Sequence, residues 1–150
     1  MADNEEMTHR MQPEPVHTIL IVEDSDNCAA AMEIAVLGIP GVSVLRAFSG
    51  MEALRILEQS GSEVQAIITD LNMPRMDGFE LIQRLRQDER RSGVPIIVVS
   101  ADTDPGTPGR MTEMKVDAFF AKPFSPAAVR RKLEQLLDVT ANATTDRTAD

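Results

Sequence analysis

The chain of 150 residues carries a formal net charge of -9, is 43% hydrophobic and 3% aromatic, and has neither Trp nor Tyr. That length suits one domain with a real core, and the acidic balance excludes a broad, sequence-independent grip on nucleic acid or an anionic membrane. One cysteine, Cys28, excludes an internal disulfide or a multi-cysteine metal centre, and no apolar run reaches the ~20 residues that span a bilayer, so without a hydrophobic leader the chain reads as cytoplasmic.

Residues 1–16 mix acids, single basic residues and two prolines without periodicity and read as a mobile tail. His17 to Val22 is the first strand, running into Glu23-Asp24-Ser25-Asp26. Ser25 or Asp26 suits the N-cap of a helix from about Asn27 to Leu37. After Pro40 and Gly41, Val42 to Ala47 partly alternates, as a half-exposed edge strand does. Ser49 then caps a helix with Met51, Leu54 and Leu57 on one side, which Gly61 ends.

Ala66-Ile67-Ile68-Thr69 is a short apolar run of the kind buried on both faces of a parallel sheet, and it ends in Asp70. A Pro-containing loop follows, then a helix from about Gly78 to Arg90 with Phe79, Ile82 and Leu85 as its stripe. Arg84, Arg86, Arg90 and Arg91 read as a solvated face. Pro95 to Val99 is the fourth strand, ending in Ser100. Pro105, Gly106, Pro108 and Gly109 make a poor helix start, so the next helix is expected only near Gly109 or Arg110. Ala118 to Ala121 is the fifth strand, ending in Lys122-Pro123-Phe124. Ser125-Pro126 opens the last helix with a cap and a proline in its first turn. Its stripe of Val129, Leu133, Leu136 and Leu137 stops before a second expected tail, residues 139–150. Strand and helix thus alternate five times, which implies an α/β fold, a parallel sheet with helices on both faces.

Four strands end in a reactive or polar side chain: Glu23 and Asp24, Asp70, Ser100, and Lys122. Parallel strands place these ends on one sheet edge, where open α/β folds bind ligands. Three carboxylates together raise one another's pKa unless cations intervene. The Lys122 ammonium and a hard divalent ion such as Mg²⁺ (or Mn²⁺) would resolve the cluster. Carboxylate, metal, hydroxyl and lysine together suit phosphoryl transfer, with one carboxylate attacking and the cations neutralising the phosphoryl oxygens.

Four motifs sharpen this reading: Ile21-Val-Glu-Asp24, Asp70-Leu-Asn-Met-Pro-Arg-Met-Asp-Gly78, Val98-Val-Ser-Ala101 and Ala121-Lys-Pro-Phe124. With their spacing, residues 17–138 resemble the response-regulator receiver domains of two-component signalling. The resemblance implies a doubly wound, flavodoxin-like five-stranded sheet of order 2-1-3-4-5. It implies that Asp70 is the phosphoacceptor for a sensor histidine kinase or phosphotransfer protein. Asp24 becomes a direct Mg²⁺ ligand, Glu23 an acidic partner acting through water, and Asn72 a ligand through its backbone carbonyl. Ser100 becomes the switch hydroxyl, Lys122 the counter-ion of the phosphoryl group, Phe119 the aromatic switch, and Pro123 the residue after a cis peptide bond. Asn72 and Asp102 occupy positions that flank the attacking water in the family and tune dephosphorylation. Glu23 stands where many members have Asp, and Phe119 where chemotaxis members have Tyr.

With no further domain read after Asp138, the expected output is a contact with an unknown partner protein, and catalysis is confined to the chain's own phosphorylation and autodephosphorylation. Two rival readings are a haloacid-dehalogenase-like phosphatase, suggested by Asp24-Ser25-Asp26, and a receiver-like interaction module that is never phosphorylated. The first lacks a further acidic pair after Lys122 and leaves Asp70 unexplained.

Overall fold

The computed structural model describes residues 17–60 and 64–149, with side chains described up to Leu137 except that of Ser60. Five strands, β1 (His17–Val22), β2 (Val42–Ala47), β3 (Val64–Thr69), β4 (Ile96–Ser100) and β5 (Ala118–Ala121), alternate with five helices. These are α1 (Asp26–Leu37), α2 (Gly50–Ser60), α3 (Gly78–Gln87), α4 (Thr107–Glu113) and α5 (Pro126–Ala149). All strand pairs are parallel and their order is β2-β1-β3-β4-β5, as the sequence and its resemblance predict.

Side chains that alternate across a strand divide the core into two layers. Leu20, Val22, Ile67, Ile96 and Val98 pack with Ala53, Leu57, Leu81, Ile82, Leu85 and Met111, from α2, α3 and α4. Ile19, Ile21, Ile68, Ile97 and Val99 pack on the other face with Met32 and Val36 of α1 and Val129, Leu133 and Leu137 of α5. β4 is buried at every position, which accounts for its apolar run from Ile96 to Val99.

Local chemistry starts most helices where expected. The Ser25 hydroxyl accepts from Cys28 N, Ser49 from Glu52 N at 3.1 Å, Asp77 from Glu80 N at 2.9 Å and Ser125 from Ala128 N at 3.2 Å. Other expectations are corrected. α4 begins at Thr107, not near Gly109, because Pro108 lies in the first turn, where no intrahelical N–H is needed. Buried Thr107 and Met111 anchor α4, and the Arg110 guanidinium lies 3.7 Å over the Phe79 ring. α3 ends at Gln87, short of Arg90, where Asp88 turns extended and its side chain takes up Arg90 N at 3.0 Å.

Met51 of α2 faces solvent, and Ala53 and Leu57 are its buried apolar side chains. Two of the four arginines are not solvated. Arg86 donates to the carbonyls of Ser92, Val94, Met114 and Lys115, and Arg91 is buried and bonds Asp88 and the Leu57 carbonyl. Helical backbone continues to Ala149, past the loss of the stripe that predicts a tail, and no Gly or Pro stands there to stop it. The N-terminal tail and the Gly61 stop lie outside the described residues.

Candidate functional site

The strand order reverses between β1 and β3, which brings Glu23, Asp24 and Asp70 to one crevice at the carboxyl edge of the sheet. Main-chain pairing continues one residue beyond the strands. Asp70 N donates to Val22 O at 3.1 Å, Glu23 N to Ala47 O at 3.0 Å, and Lys122 N to Ser100 O at 2.9 Å. Glu23, Asp70 and Lys122 are therefore fixed by sheet hydrogen bonds, although each stands just outside its strand. The Lys122–Pro123 peptide bond is cis, as expected.

Asp70 is held from two sides. Its Oδ1 accepts from Leu71 N at 2.7 Å and Asn72 N at 3.3 Å, and its Oδ2 from Lys122 Nζ at 3.1 Å. The same ammonium donates to Glu23 Oε1 at 2.7 Å, while Glu23 Oε2 accepts from Ser25 N at 3.2 Å. Oxygens of Glu23, Asp24 and Asp70 lie within 4.8 Å of one another, with Asp24 exposed and the other two buried. Gly78 is required where the loop returns to this crevice. A Cβ there would meet the Asp70 carbonyl oxygen at 2.2 Å and Leu71 Cα at 2.7 Å, a clash with backbone that cannot give way.

Glu23 is 1% exposed. Burial raises its carboxyl pKa, and the bonds from Lys122 and Ser25 N only partly offset this. Burial acts on Lys122 in the opposite sense, but its bonds to Glu23 and Asp70, together with their charges, prevail and lift the ammonium above the ordinary lysine value. Three carboxylates face one ammonium, and this excess of hard oxygen donors fits a small divalent ion such as Mg²⁺.

Ser100 is fully buried beside the acid cluster, and its Oγ accepts from Asn72 Nδ2 at 3.4 Å and Asp102 N at 3.2 Å. Asp102 meets the site through its main chain. Its carboxylate accepts from Asp104 N at 2.7 Å. Phe119 pairs in register with Val98, as Ala121 does with Ser100, so it lies on the same sheet face as Ser100, two residues back. It packs there against the layer containing Val98 and Met111.

Asp26 stays out of the cluster. Its carboxylate lies 3.0 Å from Arg46 Nη2, which also donates to the Glu23 carbonyl at 3.1 Å. The phosphatase-like Asp-x-Asp pairing is thus not formed. The sequence singles out Arg46 only weakly, as a cation near the end of a mostly apolar edge strand. Beside Lys122, a groove of about 470 Å³ is lined by Asn27, Cys28, Ala31, Pro123 and Phe124.

Comparison with known proteins agrees with this geometry. The family model for the response regulator receiver domain matches residues 19–134. A chemotaxis protein CheY homolog of Campylobacter jejuni is 33% identical over 121 residues, 79% of this chain and 91% of that protein. The crystal structure of a putative response regulator from Chloroflexus aurantiacus superposes with a TM-score of 0.73 at 33% identity, covering 81% of this chain and 98% of the other. Chemotaxis protein CheY4 of Vibrio cholerae does so with a TM-score of 0.70 at 27% identity, covering 80% and 98%. Among the described residues no helix is long and apolar enough to cross a membrane. The fold, the strand-edge cluster and these matches agree, and the chain belongs to the response regulator receiver domain family of two-component signalling.

Proposed function

We propose that the protein is a response regulator in whose receiver domain Asp70 accepts a phosphoryl group from the phosphohistidine of a sensor kinase or phosphotransfer protein. The observation that carries this reading is the meeting of Asp70 with Lys122, Glu23 and Asp24 within one crevice. An Asp70 carboxylate oxygen forms a bond to phosphorus as the phosphorus–nitrogen bond of the donor breaks, and the electron pair leaves with the imidazole. The Leu71 and Asn72 N–H groups hold the carboxylate in place for attack. Lys122 remains as counter-charge to the phosphoryl oxygens.

Asp24, Asp70 and the Asn72 backbone carbonyl would hold Mg²⁺ or Mn²⁺, with Glu23 acting through water. When bound, the ion offsets the negative charge of the phosphoryl group and the acid cluster. Ser100 turns its hydroxyl to the phosphoryl group, giving up its bonds from Asn72 and Asp102 N, and Phe119 follows on the same sheet face. Asn72 and Asp102 set the phosphoryl lifetime, the latter through the loop that its carboxylate ties to Asp104.

The donor docks beside the crevice. α1 shows solvent an apolar stripe of Ala30, Ala31, Ile34 and Leu37, with Ile34 69% and Leu37 58% exposed, and the groove at Cys28 and Phe124 extends this face to Lys122. Output is a contact with a further protein. Incubation with Mg²⁺ and acetyl phosphate should add one phosphoryl group to the wild-type mass and none to Asp70→Asn. Equal labelling of the two would refute the assignment.

A further inference from the structure

Arg46 has no role in the mechanism above, yet it stands against the loop that carries two of the three acids. It is the penultimate residue of β2, and its side chain lies on the α1 face of the sheet, as that of Val44 does. Nη2 donates to the Glu23 main-chain carbonyl at 3.1 Å and lies 3.0 Å from Asp26 Oδ1, and the guanidinium carbon is 4.2 Å from the Phe48 ring centroid. One planar cation thus joins the last residue of the β1 ladder, the first turn of α1 and an aromatic ring. A cation at a helix N-terminus opposes the helix dipole, so the dipole does not account for its position there. The Glu23 carbonyl and the Asp26 carboxylate supply the attraction. The Asp26 contact is 84% exposed on the acid's side and contributes little. The bond to the Glu23 carbonyl is the better shielded.

We propose that Arg46 is a positioning residue for the acidic pocket, holding the Glu23–Asp26 turn so that the Glu23 and Asp24 carboxylates stay in register with Asp70 for a divalent cation. The proposal rests on the metal reading given under the proposed function. It carries a sign that tests it. A cation near the pocket repels Mg²⁺, so charge alone predicts tighter metal binding when Arg46 is removed. Positioning predicts the reverse, because groups that orient metal ligands commonly account for about tenfold or more in affinity.

Mg²⁺ titrations of wild type, Arg46→Ala and Arg46→Lys, followed by the amide NMR shifts of residues 24 and 72, decide between them, with thermal unfolding of each variant alongside. The expected result is a titration midpoint about tenfold higher for Arg46→Ala, and an intermediate one for Arg46→Lys, which keeps one donor. Arg46→Ala binding Mg²⁺ as tightly as wild type, or more tightly, overturns the proposal. So do midpoints that merely follow the loss of thermal stability across both variants, which would make Arg46 a stabilising contact only. Should Arg46→Ala fail to fold, the Arg46→Lys midpoint carries the test. If wild type shows no saturable shift, the metal reading itself fails and this proposal falls with it, an outcome distinct from a wild type that binds and variants that bind equally well.

Discussion

Lys122 and Glu23, ninety-nine positions apart, hold their charges 2.7 Å from each other, closer than Lys122 stands to Asp70. Burial disfavours the charged form of both residues, but their partners offset it to different extents. The lysine gains from its two acids, whereas Glu23 is disfavoured as an anion because burial costs it more than its bonds return.

That asymmetry fixes the signs of two substitutions in Mg²⁺-free buffer. Lys122→Met leaves Glu23 and Asp70 facing each other without a counter-charge and should destabilise the fold by about 3 kcal/mol. Glu23→Gln removes the disfavoured anion and keeps the side-chain volume, so the midpoint of unfolding should rise or hold. Thermal unfolding followed by circular dichroism measures both. A Glu23→Gln midpoint that falls as far as that of Lys122→Met would contradict this account.

The separation of Asp24 from Asp26 gives a second prediction. Asp24 is in the acid cluster, while Asp26, in the first turn of α1, pairs with Arg46 in solvent. Asp24→Ala should weaken Mg²⁺ binding at least tenfold, about 1.4 kcal/mol, and Asp26→Ala far less. Calorimetric titration of both variants checks this, and equal losses would favour the phosphatase-like pairing.

Asp88 gives a pH dependence with a definite sign. The Arg90 N–H, then the guanidinium groups of Arg90 and Arg91, hold its carboxyl below the ordinary value of 3.8. A depressed acid contributes stability that is present above its unfolded value and lost as the pH falls through its folded one. The stability gap between wild type and Asp88→Asn should therefore be constant near neutrality and shrink only below about 3.8. Denaturant melts across the acid range measure it, and a gap that widens on acidification would reverse the sign.

The strands and the crevice are legible because four of the five strands are short apolar runs that stop at a polar residue, and parallel order then puts Glu23, Asp24, Asp70, Ser100 and Lys122 on one edge. The sequence does not display partners far along the chain. Arg86 reaches carbonyls 28 and 29 residues away, and Arg46 bonds a main-chain oxygen 23 residues before it, so neither was separable from a solvated charge. α4 starts earlier than its composition predicts for a different reason. The proline penalty holds in a helix interior, whereas Pro108 lies in the first turn and lacks only an N–H that would go unused.

In the proposed mechanism Asp70 itself takes the phosphoryl group. Borohydride reduction of an aspartyl phosphate leaves homoserine at the acylated position. The protein treated with acetyl phosphate and Mg²⁺, reduced and mapped by peptide mass spectrometry, should carry homoserine at position 70 and at no other aspartate. Homoserine at position 24, or phosphorylated protein with position 70 unchanged, would contradict the account.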